Sequence, residues 1–285
     1  MNTLKTTFLL ALLTGLLMAV GNYFGGTTGM MFMLVFSLGM NFFSYWYSDK
    51  IVLKMYNAKE VNKENAPDLL KLVANLAKSA NMPMPRVYII ENSAPNAFAT
   101  GRNPQNGVVA VTTGILKVLN YDELSGVIAH ELAHIKNRDT LTSTIVASIA
   151  GFITMVAHIA QWALIFGMGR DEDEGAGSLV GSLLLIIVAP LAATIIQLAI
   201  SRSREFAADE TGAKICQNPK ALATALKKIE AYAMQGTKMQ QAQANPSTSH
   251  LFIINPLSGA GSFVSSLFST HPKTADRVAK LEQMA

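Results

Sequence analysis

HELAHIKNRD, residues 130–139, is the stretch whose reading decides the fold. Residues four apart on a helix share a face, so His130 and His134 can point at one ion. Neutral imidazole is a good zinc ligand, and two of them fill half of a tetrahedral site. Glu131 reaches the open side of such an ion. There it can take a proton from a water that the metal makes acidic. The same five letters also occur by chance in ordinary helices, so the surrounding chain must carry the rest.

Outward from this stretch the chain loses its charge. Thr140 to Gly169 holds no charged residue, and neither does Gly175 to Ser201 nor Thr6 to Ser48. Charged residues are 15% of the chain, against a usual share of about 25%. A membrane-spanning helix needs about 20 apolar residues. The first run is too long for one span and divides at the turn-rich Gly21–Gly29 stretch. Four spans are expected, near 6–22, 28–47, 143–167 and 178–200. Buried soluble helices are the alternative for the last two. A cleaved signal peptide is the alternative for the first, but no small-residue cleavage site precedes the second run.

Charge sets the orientation. Of the 23 Lys and Arg, only Arg170 falls in a turn on the far side, among Asp171, Glu172, Asp173 and Glu174. Basic segments stay cytoplasmic, so both termini belong on that side. The net charge of +4 follows from this topology, with some attraction to anionic lipid. It gives no reason to expect nucleic acid as a partner. Cys216 is the one cysteine, so no intrachain disulfide forms.

The chain therefore divides into four parts. Residues 1–48 are two transmembrane helices, and 49–139 a cytoplasmic part with the HExxH helix. Residues 140–201 are two more transmembrane helices, and 202–285 a second cytoplasmic part. The fold class expected is a mainly α membrane protein with a cytoplasmic α+β domain, zincin-like if the HExxH helix holds zinc as in metalloproteases, with a small sheet. Ala66 to Ala80 has helical spacing of Leu69, Leu70, Val73, Leu76 and Ala77, stopped at Met82–Pro85. Strands are expected at Arg86–Ile90, within Asn96–Gly101, and at Val108–Thr112, with a turn at Asn103–Gly107. A helix begins near Tyr121, with Asp122 and Glu123 favoured in its first turn. Residues 234–249, rich in Gln, Ala and Ser, read as a mobile loop.

A catalytic zinc needs a third protein ligand. The metzincin pattern would place Gly at 137 and His at 140, where this chain has Asn137 and Thr140. His158 lies inside a span and reads as a polar bundle contact. His250 follows the expected loop. Glu205 and Asp209, just past the fourth span, share a helix face. Glu205 is expected on the metal and Asp209 behind it, fixing the tautomer of a ligand imidazole. The alternative is a surface helix with Arg204 and Glu210 in ordinary ion pairs.

HELAHIKNRD at 130–139, SREFAADETGA at 203–213, NAFATG at 96–101 and Ser269-Thr270-His271-Pro272 closely resemble the HtpX and CaaX prenyl endopeptidase-related family of membrane zinc metallopeptidases. The resemblance covers nearly the whole chain. It implies a zinc endopeptidase of the cytoplasmic membrane, with one zinc per chain on His130, His134 and Glu205 and with Glu131 as general base. It also implies quality control of damaged or misassembled membrane proteins under heat or envelope stress.

His134 stands nine residues before the third span and Glu205 five after the fourth, roughly 14 Å and 8 Å of helix. The metal is thus expected close to the cytoplasmic membrane surface. Strands before the catalytic helix could pair with an extended peptide and read few of its side chains. The oxyanion needs a further donor. His271 or Arg277 could supply it, unless Thr270 caps a helix that begins at Pro272. Two other functions stay open: a membrane-embedded holdase with structural zinc, and a zinc transporter. Structural sites favour four ligands and cysteine. A transporter needs ligands within the spans, where His158, Gln161 and Gln197 are the candidates.

Overall fold

The computed structural model describes residues 2–140, 202–234, 253 and 272–285. The expected spans at 143–167 and 178–200, the acidic turn at 170–177, most of the 234–249 loop, and His158, His250 and His271 lie outside these residues.

Helix α1 (Asn2–Met55) is two helices joined at Gly25 (φ −142°) and Gly26 (φ 55°, ψ −147°). The left-handed Gly26 suits glycine, which has no Cβ to clash. The two halves fold back on each other. A Cβ on Gly21 would overlap the Gly29 carbonyl, and one on Gly29 the Gly21 carbonyl. Farther from the bend, Asn41 Nδ2 donates to Thr14 Oγ1 at 3.2 Å. The expected break at 21–29 is therefore a hairpin bend. Gly25–Tyr47, with mean hydropathy 1.3, is the one helix among the described residues found long and apolar enough to cross a membrane. Phe32, Val35 and Phe43 are exposed on it.

The sheet has the order β1 (Lys59–Glu60), β2 (Arg86–Ile90), β4 (Val108–Thr112), β3 (Ala97–Thr100). β2 and β4 run parallel, with Arg86 opposite Val108; the outer pairs are antiparallel. Both faces are covered, and the side chains alternate between them. Tyr88, Ile90, Phe98, Val108 and Ala110 pack with Leu53 and Tyr56 at the end of α1. Val87, Val109, Val111, Ala97 and Ala99 pack with α2 (Pro67–Ser79), α4 (Tyr121–Lys136) and later helices. Covered strands read as continuous apolar runs rather than alternating ones, as Val108–Val111 does.

Local chemistry sets the helix limits. α2 starts with Pro67 in its first turn and ends at Ser79, with Asn81 just beyond in the left-handed region (φ 53°). Leu72 faces its core, while Leu70 is only partly buried. Thr112 caps the short α3 (Thr113–Val118), which sequence reading missed. Asn120 and Glu123 form a reciprocal capping box on α4. Glu123 also receives Lys228 Nζ at 2.8 Å, from α6 (Pro219–Met234). Helix α5 covers 202–216. The last helix, α7, is Thr274–Glu282 with Lys273 at its N-cap. Pro272 thus precedes the helix rather than opening it.

Candidate metal centre

α4 carries His130 and His134 on one face. Their Nε2 atoms stand 3.1 Å apart. α5 crosses α4 at backbone contact, because Gly212 has no Cβ; one there would lie 2.8 Å from His130 Cα. That approach brings Glu205 to both imidazoles. Its Oε2 is 3.6 Å from His130 Nε2, and its Oε1 is 3.5 Å from His134 Nε2. Ligands about 2.0–2.1 Å from a tetrahedral ion lie about 3.3–3.4 Å from each other. The three separations bracket that edge length, and the set of two imidazoles and a carboxylate suits zinc with a fourth position left open.

Behind each imidazole stands a buried aspartate. His130 Nδ1 is 3.0 Å from Asp209 Oδ1, at hydrogen-bond distance but bent away from a linear hydrogen bond. Arg277 grips Asp209 with two bonds, Nε to Oδ2 at 2.8 Å and Nη2 to Oδ1 at 2.7 Å. Burial raises the Asp209 carboxyl, but Arg277 and His130 outweigh it and hold it down at about 2. Arg277 Nη1 donates to the Ile253 carbonyl at 2.8 Å, and Ile253 N–H donates to Asn96 Oδ1 at 3.2 Å. Arg277 Nη2 comes within 3.5 Å of His130 Nε2.

His134 Nδ1 faces Asp139 Oδ2 at 3.3 Å. Asp139 is five residues past His134 and off the helical face. It returns because Arg138, just after the helix, takes a left-handed conformation (φ 59°). Burial disfavours charge on Arg204 and lowers its pKa, while nearby Asp139 and Glu205 act the other way. Burial disfavours charge on His134, yet Asp139, Glu205 and Glu131 push its pKa up to about 10. A pocket that raises a buried imidazole so far has a surplus of negative potential, which a divalent cation would neutralise.

Glu131 is buried, and burial raises its carboxyl, with Glu205 adding to this; the two histidines and a hydrogen bond from the Ala99 backbone pull the other way. Ala99 lies on β3. Asn96 and Thr112 face each other in a hydrogen-bonded pair, so antiparallel alternation turns the N–H and C=O of Ala97 and Ala99 away from β4. Glu131 thus bridges from the imidazoles to the outer edge of the sheet. Among the described residues no strand lies beyond β3.

His130, Glu131, His134, Glu205, Asp209 and Arg277, separately inferred from sequence, converge here. His271 lies outside the described residues. Asp139 was not foreseen. Its only signal is an Asp shortly after the second histidine, and the left-handed turn that returns it is not written in residue type.

Peptidase family M48 matches residues 63–285. A protease HtpX homolog of Persephonella marina is 56% identical over 285 residues, spanning 100% of this chain and 98% of its own. Those of Aquifex aeolicus and Thermococcus sibiricus are 56% and 55% identical, over 95% and 99% of this chain and 89% and 96% of theirs. The crystal structure of S. mikatae Ste24p shares the fold, with TM-score 0.57 and 18% identity over 94% of this chain and 62% of that one. Family M48 metalloproteases use zinc, and the donor cluster here fits it. The chain belongs to peptidase family M48, among its HtpX-type metalloproteases.

Proposed function

We propose that this metalloprotease works at the cytoplasmic membrane, cleaving damaged or misassembled membrane proteins beside the bilayer during heat or envelope stress. The observation that carries the chemistry is the meeting of three tetrahedrally spaced donors with a buried glutamate that also reaches the sheet edge. His130, His134 and Glu205 hold zinc. When bound, zinc supplies Lewis acidity, polarising the scissile carbonyl and making water acidic enough to lose a proton near neutral pH.

Glu131 takes that proton and passes it to the leaving amine. Its burial favours the protonated form it must hold between the two transfers. Asp209 and Asp139 fix the tautomers of His130 and His134. Arg277 keeps Asp209 ionised through its two bonds, and its Nη1 also lies 3.6 Å from Glu205 Oε2, beside the metal ligands. Arg277 and His271 stay the candidate donors to the oxyanion. An extended peptide pairs with the outward backbone of Ala97 and with the Ala99 carbonyl. All four β3 residues are buried.

The membrane part of the reading rests on the apolar Gly25–Tyr47 helix and on the four uncharged stretches, at 6–22, 28–47, 143–167 and 178–200. Cytoplasmic termini and metal rest on the basic bias. The test is peptide cleavage by detergent-purified protein, with and without a chelator, beside Glu131→Gln. Cleavage should need metal and fail in Glu131→Gln while its zinc stays. A wild type that binds zinc and cleaves nothing would favour the holdase.

A further inference from the structure

The end of the edge strand is fastened to two chain segments at the expected membrane surface. α1 has no non-helical residue after Gly26, so the apolar segment from Thr27 to Tyr47 and the charged turns beyond it are one continuous helix. The boundary is marked by Phe42, Phe43, Tyr45, Trp46 and Tyr47, followed by Asp49, Lys50 and Lys54. Aromatic rings in such a cluster sit at headgroup level.

Past this belt the helix is built into the catalytic part. Arg86, which opens β2, pairs with Asp49 at 2.5 Å. Leu53 and Tyr56 pack under the sheet, and the Tyr56 ring meets Phe98 of β3 at 5.6 Å. Most directly, the Arg102 guanidinium lies 4.1 Å from the Trp46 ring centre. Arg102 follows Gly101, whose carbonyl accepts from Thr140 Oγ1 at 2.8 Å. Gly101 itself cannot shift freely. Its φ is 122°, and a Cβ would overlap the Asn106 carbonyl. The C-terminal end of β3 is therefore held both by Trp46 and by Thr140, three residues before the expected third span.

We propose that α1 beyond Tyr47 is a strut, and the Trp46–Arg102 stack its peg, that fix the cleavage edge at a set height above the bilayer. The enzyme then selects scissile bonds by their distance from the end of the substrate's membrane segment. This deepens the membrane-protease reading and rests on it. From Trp46 to Met55 the helix rises about 14 Å. An extended chain covers that in about four residues. Closer bonds cannot reach the edge. More distant ones reach it with an effective concentration that falls roughly as the −3/2 power of tail length.

The experiment uses the full chain in liposomes and single-span substrates. An unstructured Gly/Ser tail places one cleavable sequence from about two to about forty residues from the span. A short soluble peptide of that sequence is the reference. Wild type should cleave poorly below about four residues, best just beyond, and about tenfold more slowly at about forty than at about eight. Arg102→Ala should blur this, cutting the ratio between optimum and shortest tail by about threefold or more, since a cation–π stack is lost. Arg102→Lys should keep the wild-type profile, and the soluble peptide should be cleaved alike by all three.

Soluble-peptide cleavage with a flat wild-type profile, or an Arg102→Ala profile superimposed on wild type, overturns the strut alone. No cleavage of any substrate, or a protein that does not float with liposomes, overturns the membrane-protease reading and the strut with it. The wild-type profile decides the matter even where Arg102→Ala does not fold.

Discussion

Each candidate ligand imidazole turns its second nitrogen to a buried aspartate, and the two aspartates arrive differently. Asp209 comes from α5, one turn after Glu205, and is neutralised by a bidentate arginine. Asp139 comes from the same chain turn as His134, through the left-handed Arg138. Loss of a carboxylate behind a ligand histidine typically costs about 10–100-fold in metal affinity. Asp139→Asn should therefore weaken zinc binding by about that factor, measured by competition with a chromophoric chelator. Wild-type affinity in the variant would reduce Asp139 to a helix-end residue. Glu131→Gln separates holding from chemistry. It should retain full zinc while cleavage falls at least about 10²–10⁴-fold, as loss of a general base requires. A normal rate would remove Glu131 from the mechanism.

Between elements, the decisive contact is glycine against backbone. α5 can bring Glu205 to α4 only because Gly212 lies on the His130 backbone. A methyl group 2.8 Å from His130 Cα and N meets no flexible side chain that could yield. Gly212→Ala should thus push the helices apart and lose zinc disproportionately to stability. Zinc content and helical circular dichroism on the same sample test this. Retained zinc would mean that α5 approaches α4 by some other fit. The start of α4 is held separately by its capping box and Lys228. Asn120→Ala should cost about 0.5–2 kcal/mol of stability, the usual worth of an N-cap, with zinc affinity nearly unchanged. A large fall in zinc affinity there would mean that the helix start and the metal face are coupled.

For the whole molecule, topology is the open measurement. Single cysteines at Gly175→Cys and Gln241→Cys, each in a Cys216→Ser background, can be labelled in intact cells by a thiol reagent that does not cross membranes. Position 175 should react and position 241 should not, as the concentration of basic residues on one side demands. The reverse pattern would invert the protein and place the metal outside. Labelling at both positions would mean that one of the last two apolar runs does not span. The bilayer would then no longer anchor the metal helix at its exit, leaving α1 as the described attachment.

Sequence alone determined what depends on local period and residue chemistry. The i, i+4 histidines, the following glutamate, the Glu205–Asp209 pair, three strands, two helices of the catalytic part and the apolar α1 were legible because helical and strand periods bring their own residues into line. The glycine-rich stretch likewise marked the hairpin bend. Several local features escaped, among them the two-residue β1 and the helix Pro219–Met234. α3 is too short to show a period, and Asp139 returns through a backbone conformation that arginine rarely adopts. What only tertiary structure decided involves residues far apart in sequence. Arg277 reaches Asp209 across 68 positions in sequence. The order β1-β2-β4-β3 makes a short early strand the outer edge beside Glu131. The end of that strand is pinned to Trp46 and Thr140. Such contacts follow from how layers pack, and the free energy that selects them is shared among many buried side chains rather than written in any one segment.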